Sequence, residues 1–185
     1  LERQLVAAPS CPLTLVQAVP KGKLFEWILE KATELGVSRI IPLLAERVVV
    51  RFDAADAARK RERWQQTVIE AIKQCGSAWL PRVETPLTPQ QFLSRQERFG
   101  LSLLASLQPG SRHPREYFRA LSAEHRHPPS SVCVWVGPEG DFTAAEYESI
   151  QAAGARPITL GPLVLRVETA ALYCLSIIQY ELRSL

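Results

Sequence analysis

Methionine is absent from the 185-residue sequence, which opens at Leu1. We therefore expect it to be part of a longer translated chain. The four cysteines, Cys11, Cys75, Cys133 and Cys174, lie far apart and form no C-x-x-C pair. Zinc-ribbon and thioredoxin-type chemistry thus find no support. Three of them fall in apolar helix or strand patterns and read as buried reduced thiols, which fits a cytoplasmic protein. No apolar run is long enough to span a bilayer, and no signal peptide is recognisable. The histidines His113, His125 and His127 sit in polar, proline-rich surroundings without clustered carboxylates or cysteines. They read as surface residues and not as metal ligands. Strong charge is also missing. A net charge of +3 permits nucleic-acid binding without demanding it. Neither G-x-G-x-x-G after the first strand nor G-x-x-x-x-G-K-S/T occurs, so a pyrophosphate cradle is not expected.

What is present is a single alternating pattern. Hydrophobic residues make up 46% of the chain, ample for one core. Leu13–Val19 reads as a strand stopped by Pro20. Leu24, Ile28, Ala32 and Leu35 then recur at helical spacing, with Gly36 placed to end the helix. Arg39–Ala45 reads as a second strand in which Pro42 predicts a bulge or a strand end. Asp53 or Asp56 caps a long helix whose stripe is Trp64, Val68, Ala71, Ile72 and Cys75, with Gly76 closing it. Its other face carries Arg59, Lys60, Arg61 and Arg63, either a solvated face or a phosphate contact.

A short strand is expected at Arg82–Glu84, and Thr88 caps a helix with Pro89 at its first position. Leu101–Ala105 is a buried strand, Gln108–Arg112 a turn and Glu116–Glu124 a short helix. Val132–Val136 is continuously apolar, as in a central parallel strand covered on both faces. Thr143 and Glu146 form a capping box. Ile158–Leu160 is the last strand and Val167–Leu182 the last helix. Strands alternating with helices predict an α/β fold: a mostly parallel sheet with helices on both faces.

Two loops stand out. Gly137-Pro138-Glu139-Gly140 follows the Val132–Val136 run, and Gly161-Pro162 follows the last strand. Both join a buried strand to a helix. In open α/β sheets such loops flank the crevice that takes the ligand. Gly137, Gly140 and Gly161 let main chain approach a ligand closely, and Leu160, Val164 and Leu165 offer an apolar slot. The alternative is that these glycines only make tight turns.

The segment Gly137–Gly140 together with Leu160-Gly161-Pro162-Leu163-Val164-Leu165-Arg166-Val167-Glu168-Thr169-Ala170 resembles the signature pair of the 16S ribosomal RNA uridine-N3 methyltransferases. These belong to the knotted SPOUT class of S-adenosylmethionine-dependent enzymes. Lys21–Val37 resembles that family's first helix, and Gln74-Cys75-Gly76 a later element. The resemblance covers most of residues 13–185. It implies a SPOUT methyltransferase domain at 13–185 and a C-terminal trefoil knot. Residues 1–12 would be a linker or the remnant of an N-terminal RNA-binding β-barrel domain. It further implies S-adenosyl-L-methionine as cofactor, small-subunit ribosomal RNA as partner, a homodimer, and neither metal nor membrane.

By the same resemblance, cofactor contacts are expected from Leu104, Gly137, Glu139 and Gly140, and from Leu160, Gly161, Leu165 and Thr169. Arg166 and Glu168 are the catalytic candidates. Arg166 would pair with uracil oxygens or a phosphate. Glu168 either acts there or simply caps its helix, and Glu139 either holds its loop or faces the substrate. The general base is unassigned. A substrate with another RNA base, or a non-catalytic RNA-binding module, are the rival readings. Three positions depart from the family pattern: Asp141 stands where it has a second glycine, Leu163 where it has an arginine, and an expected arginine is missing near Ser77 or Ala78.

Overall fold

The structure is a computed structural model that describes residues 7–125 and 127–184. Six strands form one parallel sheet. They are β1 (Leu13–Ala18), β2 (Arg39–Leu43), β3 (Arg82–Val83), β4 (Leu101–Ala105), β5 (Val132–Val136) and β6 (Arg156–Ile158). The helices between them are α1 (Leu24–Glu34), α2 (Ala54–Cys75), α3 (Pro89–Leu93), α4 (Pro114–His125), α5 (Ala144–Ala152) and α6 (Val167–Arg183). The strand order is β3-β2-β1-β5-β4-β6. The chain therefore builds outward to β3, then returns to place β5 against β1.

Every residue of β5 is buried. Its Trp135 ring lies 5.2 Å from the Phe92 ring of α3, while α6 also packs on β5. Cover on both faces is what a continuously apolar strand requires. The helices pack in two groups, α1 with α2 and α6 and α4 with α6, and separately α3 with α5.

Local sequence sets most boundaries. The Asp53 carboxylate accepts the Asp56 N–H and starts α2, and Gly76 ends it at φ 71°. Both capping boxes form, Thr88 with Gln91 and Thr143 with Glu146.

Several elements depart from the sequence pattern. Pro42 neither bulges nor ends β2. The carbonyls of Ile40 and Pro42 face the β3 side, accepting from Glu84 and Leu87, whereas that of Leu43 faces β1. The N–H that proline lacks would have pointed past Val83, where β3 has stopped, so the β1–β2 ladder keeps its bonds. β6 begins and ends earlier than expected, which frees Thr159 and Leu160 into a loop. On α1 the buried stripe is Phe25, Ile28, Leu29 and Ala32, with Leu24 exposed. All four cysteines are free thiols, but Cys75, at the last turn of α2, is exposed and Cys11 half-buried. Burial pushes the Cys174 thiol up to about 12, and that of buried Cys133 further still.

Candidate functional site

Parallel strands deliver all their C-terminal ends to one edge of the sheet. Since β5, β4 and β6 are neighbours, the loops that follow them meet there. They enclose a pocket of about 720 Å³. Val136, Gly137, Pro138, Glu139 and Asp141 line it from the first loop, and Thr159 through Glu168 from the second. The two Gly-Pro loops thus share one cavity.

Gly137, Glu139, Leu160, Gly161, Leu165, Arg166 and Glu168 all face this cavity. Leu104, Gly140 and Thr169 do not line it. Leu104 is fully buried inside β4, paired to Trp135 and Pro157, and the cavity starts one residue later, at Ala105. Gly140 is turned toward Arg47, whose guanidinium donates to its carbonyl. Thr169 points to solvent from the first turn of α6. Ala105, Ser106, Leu107, Gln108, Gly110 and Ser111 also line the pocket. Their loop follows β4 and carries Pro109-Gly110, a turn visible in the sequence, but it is the strand order that brings this turn beside the two Gly-Pro loops.

Each loop is held by short-range bonds. Gly161 has φ 109°, a conformation closed to residues with a Cβ, and its N–H donates to the Thr159 hydroxyl at 3.2 Å. A Cβ on Gly137 would meet Asp141 Oδ1 at 3.1 Å and the Phe142 ring at 3.3 Å, so that glycine is required by contact and not by φ. Asp141 itself has φ 60°. A glycine would take that conformation freely. Aspartate tolerates it because its carboxylate accepts the next N–H, that of Phe142, at 2.8 Å. The Glu139 carboxylate accepts the Lys21 N–H at 3.2 Å, joining this loop to the one after β1. Ser106 Oγ lies 2.9 Å from the Tyr147 hydroxyl and accepts the Gln108 N–H at 3.0 Å.

Arg166 is exposed and N-terminal to α6; it makes no side-chain cap bond and no ion pair among the described residues. The α2 cations are different. Arg59 pairs with Asp56, and Arg63 with Glu26 at 2.9 Å. Lys60 lies 6.0 Å over the Phe52 ring, and Arg61 donates to the Val83 carbonyl at 3.4 Å. Each therefore has a local partner. His113 caps α4 through Nδ1, which accepts the Arg115 N–H at 3.2 Å. The side chain of His125 lies outside the described residues. Among the described residues no group of three or more His, Cys, Asp or Glu side chains could hold a metal, and no helix is long and apolar enough to cross a membrane.

A family model for the RNA methyltransferase domain matches residues 7–179, which takes in the whole sheet and all three pocket loops. The chain belongs to this RNA methyltransferase family. It is 37% identical over 167 residues to the ribosomal RNA small subunit methyltransferase E of Bacillus subtilis, covering 90% of this chain and 65% of that one. Its identity to the enzyme of the same name from Synechocystis is 36% over 174 residues, covering 94% and 54%. Among solved structures it is similar to the ribosomal RNA small subunit methyltransferase E of Neisseria gonorrhoeae bound to S-adenosyl methionine. That match has TM-score 0.77 and 31% identity, and covers 92% of this chain and 66% of that one. This RNA methyltransferase domain chain thus spans 54–65% of the length of the two curated relatives.

Proposed function

We propose that this chain is the catalytic part of an S-adenosylmethionine-dependent methyltransferase that forms N3-methyluridine in 16S ribosomal RNA. The observation that carries the reading is the shared pocket: both Gly-Pro loops line it at the C-terminal ends of adjacent strands. Its volume, about 720 Å³, falls in the range of small-molecule sites. The residues present fit such a cofactor. Val136, Leu160 and Leu165 offer an apolar wall for a ring, Gly161 offers approachable main chain, and a ligand without phosphates needs no cationic cradle. The relative from Neisseria, named as bound to S-adenosyl methionine, supports the same cofactor.

When bound, the cofactor supplies a methyl group activated on a sulfonium. The chain must then handle the base. N3 of uracil is a poor nucleophile until its proton leaves. The Arg166 guanidinium, without a hydrogen-bond or ion-pair partner among the described residues, neutralises the charge that develops on the uracil oxygens. Among the carboxylates lining the pocket, Glu139 is bonded to the Lys21 N–H and Asp141 to the Phe142 N–H. Glu168 makes no side-chain hydrogen bond among the described residues and is left to take the N3 proton. Lys21 and Lys23, exposed beside the pocket, receive RNA phosphates. A second copy of the chain covers Leu163 and Val164, which are 73% and 77% exposed at the pocket lip. The knotted threading of the C-terminal segment, the linker role of residues 1–12, of which 1–6 lie outside the described residues, and a cytoplasmic setting belong to the same proposal.

The test is methyl transfer from labelled cofactor to small-subunit ribosomal RNA, followed by nucleoside analysis. Label in N3-methyluridine supports the proposal. Label in another nucleoside overturns the substrate, and no incorporation overturns the enzyme reading. The apolar Leu163, where a cation is expected from the resemblance, favours another RNA base as the second reading.

A further inference from the structure

We infer that Ser106 and Tyr147 form a polar relay that presents one oriented hydroxyl hydrogen to an acceptor oxygen of the bound cofactor, with Ser106 making the contact and Tyr147 positioning it. The inference rests on the cofactor reading above and adds a residue pair to it. Ser106 is the first residue after β4, the middle strand of the three that feed the pocket. It is 8% exposed and lines the cavity. Its N–H is already used on the Ile158 carbonyl, at 3.0 Å, so only the side chain remains available.

The hydrogen count of the pair leaves two arrangements, since either hydroxyl can donate. A serine hydroxyl has one hydrogen and two lone pairs, and a tyrosine hydroxyl has one hydrogen. The Gln108 N–H occupies one serine lone pair at 3.0 Å. The Ser106–Tyr147 contact at 2.9 Å consumes one of the two hydroxyl hydrogens. One hydrogen is left over. If serine donates to tyrosine, the spare hydrogen sits on half-buried Tyr147, which does not line the pocket and has no other hydrogen-bond partner among the described residues. If tyrosine donates to serine, both serine lone pairs are filled and the spare hydrogen sits on Ser106, facing the cavity. Polar hydrogens in poorly hydrated places go where an acceptor is within reach. The second arrangement satisfies every group once an acceptor occupies the pocket. It also makes Ser106 a pure donor, which selects an oxygen such as a ribose hydroxyl or the methionine carboxylate over an ammonium.

Calorimetric titration of the chain with S-adenosylmethionine tests this without any turnover. Ser106→Ala is expected to weaken binding about tenfold, the size of one oriented hydrogen bond. Tyr147→Phe is expected to weaken it less, and the double variant no more than Ser106→Ala alone, because Tyr147 acts through Ser106. Ser106→Thr restores most of the affinity. Decarboxylated S-adenosylmethionine and the 2′-deoxyribose analogue identify the oxygen: the Ser106→Ala penalty vanishes for the analogue that lacks it. Thermal melts without ligand show that each variant is folded. Wild-type affinity in Ser106→Ala, additive losses in the double variant, or a full penalty against both analogues overturns the relay. No binding by the wild type at millimolar cofactor overturns the cofactor reading, and the relay with it.

Discussion

The Lys21 N–H donates to Glu139 Oε1 at 3.2 Å, across 118 positions of the chain. The bond fastens the loop after β1 to the loop after β5, which lines the pocket. Glu139→Ala removes the acceptor and Glu139→Gln keeps one. Because the contact is solvent-exposed, its net value is at the low end for a hydrogen bond. Cofactor affinity by calorimetry is expected to fall about threefold in the alanine variant and to change little in the glutamine variant. Equal losses in both would mean that charge, not the loop tie, matters at Glu139.

Gly161 and Gly137 are expected to resist alanine for different reasons. Gly161 has φ 109° with open space around it, so Gly161→Ala costs backbone strain of about 1–3 kcal/mol and reshapes the loop. Gly137 has no such φ, and Gly137→Ala forces Asp141 and Phe142 aside. In the double variant Gly137→Ala/Asp141→Gly one of those contacts is gone and the φ of 60° at position 141 suits glycine, so part of the stability lost on heating returns. No removal of a neighbouring side chain rescues Gly161→Ala. Rescue of both, or of neither, would contradict this division.

Much of this site is written in local sequence. The strand, glycine-proline turn and helix grammar of both C-terminal loops is visible, as are the Thr143–Glu146 box that starts α5 and the Asp53 cap of α2. What is not local is which strands become neighbours. The segment after β4 joins the pocket because β4 lies between β5 and β6, and nothing within Ala105–Ser111 announces that order. Periodicity misplaced Leu24 and Cys75 inward for a related reason. A stripe fixes the direction of a helix face but not where the cover ends, and both residues lie at helix ends beyond it. Pro42 looked like an interruption because its neighbours are invisible in sequence; the two-residue length of β3 removes the conflict.

Among the described residues Arg166 makes no side-chain hydrogen bond or ion pair that Arg166→Ala would release. Thermal stability and cofactor affinity are therefore expected to stay near wild type. Methyl transfer to RNA is expected to fall on the order of a hundredfold, the scale of removing one group that stabilises developing charge. Arg166→Lys should recover only part of it, since a lysine cannot bridge two oxygens in one plane. Single-turnover rates with saturating cofactor separate this effect from binding. A variant that loses cofactor affinity instead would place Arg166 against the cofactor.

Far from the pocket, acid sensitivity is expected to reside in one ion cluster. Arg39 donates to Glu84 at 2.6 Å and to Glu97 at 2.5 Å, and Arg95 donates to Glu84 at 2.6 Å. Burial pushes the Glu84 carboxyl up, but the hydrogen bonds from Arg95 and Arg39 outweigh it and hold the group below the usual glutamate range. The Arg39 hydrogen bond does the same for Glu97 against a weaker opposing burial. Groups held low in the folded state stabilise it above the unfolded value, about 4.3, and that stability is lost as pH falls through the lower folded value. The Glu84 side chain is only 7% exposed, whereas Arg39 and Arg95 are 23% and 40% exposed, which tempers the strength of the pair. Glu84→Gln should therefore cost on the order of 2 kcal/mol at pH 7, measured by urea unfolding. The gap between variant and wild type should narrow as the pH is taken below 4, because the wild-type carboxyl is then protonated as well. A gap of constant size from pH 7 to pH 3 would assign the loss to hydrogen bonding and packing of the side chain and not to its charge.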